Sequence, residues 1–190
     1  TDVSRLGEIT YRAFENYGED IRSLSELSFP VLCSTAREKM LSCIENAKAE
    51  GDSVGGVLEA VVTGLPAGVG EPWFDSVEGM LSHALFSIPG IKGVEFGRGF
   101  GFASMKGSEA NDEFALVDEK IVTKTNNNGG INGGITNGMP IIMRSAVKPT
   151  PSIYKEQDTV DLEKMENTSI KINGRNDACL RADIGIGGQQ

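Results

Sequence analysis

The amino-acid sequence predicts an α+β fold with antiparallel pairing in its second half. Three observations carry this. Helical apolar periodicity is confined to the chain before Pro89 and alternates there with strand-like runs. After Pro89 the extended runs dominate. No internal repeat and no linker divides the 190 residues, so they read as a single domain. The order is α, β, α, β, α, then a run of β.

Leu6, Ile9, Ala13, Phe14 and Tyr17 recur at helical spacing, with Gly18 as the stop signal. Residues 21–31 read as a strand ending beside Pro30. Thr35, Ala36, Arg37 and Glu38 form a capping-box pattern. The helix behind it carries Met40, Leu41, Ile44 and Ala47 on one stripe and ends at Gly51. GVLEAVVTG, from Gly56, reads as a strand with Leu58, Ala60 and Val62 on one face, and LPAGVGEP as a turn-rich loop. Val77, Met80, Leu81, Ala84, Leu85 and Ile88 give the cleanest helical stripe, stopped by Pro89-Gly90. Residues 94–105 read as a glycine-broken strand. Phe114 to Thr123 reads as a hairpin turning at Asp118-Glu119, and Ile141 to Val147 as a strand.

Composition narrows the function. Hydrophobic residues at 39% and charged residues at 24% suit a globular core. A net charge of −9 argues against broad nucleic-acid or anionic-membrane binding, so an anionic ligand needs a local basic pocket. Cys33, Cys43 and Cys179 are odd in number and show no CxxC spacing, which predicts no disulfide framework, no metal site and a reducing cytosol. No apolar run approaches about 18 residues. The chain opens at Thr1 within a helical pattern and closes in GIGGQQ, so both ends read as cut.

NNNGGINGGITNG, residues 126–138, holds five Gly and five Asn in thirteen positions. Successive Gly residues let backbone N–H groups converge on an anion, or let backbone approach a flat ligand. The same composition also suits a long turn between strands. In VKPTPSI, Lys148 offers a charge, Thr150 and Ser152 offer hydroxyls, and Pro149 and Pro151 stiffen the segment; an ordinary strand exit reads the same way. GSEANDEF gathers Glu109, Asp112 and Glu113, a turn cap more readily than a metal loop. In GRND, Arg175 offers a planar fork for carboxylate or phosphate, and Asp177 a base beside a ligand, with an exposed ion pair as the plain alternative. His83, the single histidine, falls off the apolar stripe of its helix, which is a surface or interface position.

Taken in order, GVEFGRGF, GSEAND, NNNGGINGG and KPTPS resemble the chorismate synthase family. The resemblance runs from about Tyr17 to Arg181, and four ordered motifs make it specific where each alone is weak. It implies a β-α-β sandwich with helices between antiparallel sheets, assembled as a homotetramer. It also implies reduced FMN and an anti-1,4-elimination of phosphate from 5-enolpyruvylshikimate 3-phosphate to give chorismate. By resemblance, Gly90, Gly133, Lys148, Pro149, Thr150, Pro151, Ser152 and Arg175 contact flavin, and Asp177 helps move a proton beside it. Residues 129–134, 148–152 and Arg175 are then expected to converge. Pro89 departs from the polar residue often found there in the family. Asn176 and Ala178 replace the His and Pro of the usual GRHDPC. The GxSHG and GHxD histidine motifs, an Arg-rich segment and an RSS segment of the family are not among these 190 residues. The expectation is a single incomplete domain, the middle-to-C-terminal part of a chorismate synthase and inactive alone. The alternative is a non-catalytic assembly or anion- and flavin-binding module of the same descent.

Overall fold

The structure, a computed structural model, describes residues 1–11, 14, 16–172, 178 and 179. In chain order the elements are β1 (Asp2–Leu6), β2 (Ile9–Thr10), α1 (Tyr17–Ser25), α2 (Ser34–Ala49), β3 (Gly56–Val62), α3 (Val77–Phe86), β4 (Ile91–Phe96), α4 (Gly107–Ala110), β5 (Phe114–Val117), β6 (Lys120–Thr123), β7 (Ile131–Asn132), β8 (Ile135–Thr136), β9 (Ile141–Val147), β10 (Glu156–Asp161) and β11 (Glu166–Lys171). A five-stranded antiparallel sheet, in the order β2-β1-β3-β9-β4, forms the centre. The remaining strands make three separate hairpins, β5–β6, β7–β8 and β10–β11. The α+β class and the antiparallel pairing are as the sequence predicts.

The core lies where α2 crosses one face of the sheet. Val3 and Leu6 of β1 meet Ala36 and Met40 of α2 and Val31 of the connecting loop, all buried, with Leu58 of β3 packed against them. Met40 is fully buried, worth about 1.5–3 kcal/mol. Gly51 ends α2 in a left-handed turn at φ +66°. Its N–H bonds the Lys48 carbonyl at 3.1 Å and that of Asp52 bonds Ala47 at 2.8 Å, satisfying the helix's last carbonyls. The hairpin at Asp118-Glu119 forms as expected, both residues at positive φ (48° and 62°), the two-residue turn whose twist matches paired strands.

Four expectations are corrected. Leu6 and Ile9 belong to paired strands, not a helix. Gly7 turns the chain at φ +56°, and β1 gains ladder bonds on both edges, which outweighs helical spacing. The helix comes later: α1 covers residues expected to be strand, with Asn16 as its N-cap, Glu19 and Asp20 in the first turn and Arg22 in the last, matching the helix dipole. The capping box at Thr35 does not form. Helix α2 starts two residues early, at Ser34, and its N-cap Cys33 makes no side-chain cap bond. The strand expected over 94–105 runs instead from Ile91 to Phe96, because Gly97 and Gly99 take φ near +50° and a 3-10 turn follows over Gly99–Ser104. The clean stripe of α3 is only half-covered: none of its residues is buried, and Met80 is 63% exposed.

Candidate functional site

Two places in the fold collect polar chemistry. The first is a corner where three separate stretches interlock. Gly97 and Arg98 follow β4, Asp112 follows α4, and residues 125–130 follow β6. Arg98 N–H donates to the Asn127 carbonyl at 2.7 Å, and its Nε to Asn127 Oδ1 at 3.1 Å. The buried Asp112 carboxylate takes hydrogen bonds from Thr125, Asn127 and Asn128. Burial raises the Asp112 pKa, but these donors, led by the Thr125 hydroxyl, outweigh it, and the net shift is downward.

Beside this corner, Glu59 of β3, Arg144 of β9 and Glu95 of β4 stand directly opposite one another across three strands. Arg144 Nε donates to Glu95 Oε1 at 2.6 Å and Nη1 to Glu59 Oε2 at 3.2 Å, while Nη2 caps the Gly97 carbonyl at 2.5 Å. Burial disfavours the guanidinium charge, yet the Glu95 and Glu59 carboxylates outweigh it and the net shift is upward. A cleft of about 710 Å³ opens over this face, lined by these three side chains, by Arg98, and by Tyr11 and Tyr17. Among the described residues, none of the site residues expected from the sequence lines it.

The second place lies at the far end of β9. There Lys148 N–H donates to the Gly90 carbonyl at 2.9 Å, bringing together two of the expected flavin segments. Ser53 Oγ anchors the run behind them through the Thr150 carbonyl at 2.7 Å. Pro149 packs against Gly55, where a Cβ would meet the proline ring at 3.0 Å. The Lys148 side chain is exposed and has no ion-pair partner among the described residues.

Gly133 is elsewhere. It sits at φ +58° in the tip of the β7–β8 hairpin, with open space where a Cβ would stand. Its neighbour Gly134 accepts from Val77 N–H at 3.0 Å, so the tip sits at the start of α3, while Gly90 and Lys148 lie past its end. The ten residues of α3 put about 15 Å between them. The expected convergence of residues 129–134 with 148–152 is therefore not what the fold shows; the two segments flank opposite ends of one helix. Arg175 and Asp177 lie outside the described residues.

The sequence reading missed Glu59, Glu95, Arg98 and Arg144. The one local signal was an ionisable residue on an otherwise apolar strand, as in GVLEAVV and IIMRSAV.

The sequence profile described as Chorismate synthase matches residues 2–186. The chain belongs to the chorismate synthase family. It is 54% identical over 145 residues to the chorismate synthase of Thermococcus kodakarensis, covering 76% of this chain and 41% of that one. It is 48% identical over 181 residues to that of Dehalococcoides mccartyi, covering 94% and 49%. A crystal structure of chorismate synthase superimposes with a TM-score of 0.72 at 32% identity, covering 80% of this chain and 48% of that one. The chain spans about half the length of the curated relatives it matches. The motifs that carry the resemblance divide between two places: GVEFGRGF, GSEAND and NNNGG build the interlocked corner, and KPTPS stands at the opposite end of β9.

Proposed function

We propose that this chain carries flavin-facing elements of a chorismate synthase, and so serves the elimination of phosphate from 5-enolpyruvylshikimate 3-phosphate in aromatic biosynthesis. The observation that supports this best is the Lys148–Gly90 backbone bond, which seats side by side two segments that the resemblance gives to flavin. The residues fit the cofactor. An ammonium at Lys148 with no ion-pair partner among the described residues, beside hydroxyls at Thr150 and Ser152, suits a phosphate or a polar ring edge, because charge-assisted bonds to phosphate are the strong ones. The open Gly133 tip lets backbone approach a flat ring. Gly133 at the start of α3, and Lys148 with Gly90 past its end, are the described residues that would hold the cofactor.

Reduced flavin, when bound, supplies electron density to the ring that loses phosphate. The chain's own part is binding and orientation. The Lys148 ammonium binds negative charge, and Pro149 and Pro151 stiffen the backbone that carries Thr150 and Ser152. Arg175 and Asp177 complete the proposal from resemblance, as an anion fork and a proton carrier. A homo-oligomer in a reducing cytosol belongs to the same proposal, from resemblance.

Anaerobic titration of the chain with reduced FMN, followed by a phosphate-release assay, tests this. Binding without turnover is expected. The only histidine, His83, is exposed on α3, and each general acid or base contributes about 10²- to 10⁴-fold. Activity should return on adding the N-terminal half of a relative. Absence of FMN binding sinks the flavin reading. Binding with no turnover even then leaves a non-catalytic flavin module.

A further inference from the structure

We propose that Asp112 is a positioning residue for the flavin site, its carboxylate clamping residues 125–128 and so setting the approach of the Gly133 hairpin; this rests on the flavin reading above. Asp112 is 5% exposed, and hydrogen bonds fill both of its carboxylate oxygens. Oδ1 accepts from Thr125 Oγ1 at 2.6 Å and from Asn127 N–H at 2.7 Å. Oδ2 accepts from Asn128 N–H and from Asn128 Nδ2, each at 2.8 Å. An ionised carboxylate is an acceptor only, with about four lone-pair sites, and four donors here meet them.

The clamp continues into the glycines. Asn126, one residue before the clamped amides, spans the next turn: its Nδ2 donates to the Pro140 carbonyl at 2.8 Å, and its Oδ1 accepts from Gly130 N–H at 2.7 Å. Gly129, Gly130 and Ile131 are buried, and two residues later Gly133 emerges into open space. The base of the hairpin is thus tied to Asp112, and its flank to Val77 through Gly134. With strands of only two residues each, β7 and β8 cannot hold their orientation by ladder bonds alone.

The test uses Asp112→Asn and Thr125→Val. The asparagine keeps the shape but turns an amino group toward two donors. The valine removes one hydroxyl and leaves the backbone untouched, which keeps the idea testable should Asp112→Asn fail to fold. FMN dissociation constants are measured by fluorescence quenching, and amide hydrogen exchange is followed by mass spectrometry. Expected for Asp112→Asn is FMN binding weaker by about 10- to 100-fold, the range for lost charge-assisted bonds, with a smaller loss for Thr125→Val. Exchange should quicken over residues 126–134 while β3 and β9 stay protected, a local pattern that general destabilisation does not give. Unchanged FMN affinity in a variant whose loop exchanges faster overturns the proposal, as does unchanged exchange. If the unsubstituted chain fails to bind FMN, the flavin reading has failed, and the positioning role falls with it.

Discussion

A Cβ placed on Gly97 would stand 2.0 Å from the carbonyl oxygen of Asn127, and Gly97 takes φ +54°. Both features demand glycine, one through space and the other through backbone strain. Gly97→Ala should therefore lose about 3 kcal/mol or more, from strain at positive φ and from overpacking. Gly107→Ala serves as control, since nothing lies within 4 Å of that position. Urea denaturation of both reads the difference, and equal losses would show that the corner can relax.

Arg144 stands between two mostly covered carboxylates, with side-chain exposures of 25% for Arg144, 14% for Glu59 and 29% for Glu95. Arg144→Ala leaves Glu59 and Glu95 facing each other unpaired, and should cost about 3–5 kcal/mol. Replacing all three together, as Glu59→Gln, Arg144→Met and Glu95→Gln, should recover most of that loss, because no charge then stays buried without a partner. A triple variant less stable than Arg144→Ala would mean the ion cluster is net stabilising.

Lys148→Ala should weaken FMN binding by roughly 1.5–3 kcal/mol, or about 10- to 100-fold, with little change in stability because the side chain is exposed. Titrations of the two proteins that superimpose would remove Lys148 from the site.

Asp2 is fully buried, and the Tyr11 hydroxyl donates to its carboxylate, lying 2.6 Å from Oδ1 and 2.7 Å from Oδ2. Burial, and secondarily the charge on Glu59, push its pKa up from 3.8 to about 6, against the opposing hydrogen bond from Tyr11. Between those two values the folded chain holds a proton that the unfolded chain has released. Stability from this site is therefore greatest below pH 4 and falls as pH rises to about 6. The whole effect is on the order of 3 kcal/mol, at 1.36 kcal/mol per unit. Asp2→Asn removes this slope. Urea midpoints at pH 4, 5, 6 and 7 check it, and parallel curves for the two proteins would refute it.

Much of the local structure was legible in the chain itself. Gly51 stops α2, Asp118-Glu119 turns a hairpin, and the strand from Ile141 to Val147 is where its apolar run lies, since each depends on the conformational preferences of a few neighbouring residues. The family was legible too, because four short motifs in order specify far more than any one of them.

Tertiary structure alone decided the rest. Leu6 and Ile9 became strand because β3, about fifty residues later, offers β1 its ladder bonds, and no local spacing announces that partner. Arg144 meets Glu95 across 49 residues and Glu59 across 85, so the cluster exists only once three strands fall into register. The Asn/Gly stretch could be named as ligand loop or turn but not divided between them. Its first half is tied down by Asp112, and its second carries an open tip at the start of α3, far from Lys148. Sequence carries the conformational preferences of each segment, but the register of a sheet sums many weak contacts between distant residues, and that sum settles which side chains share a site.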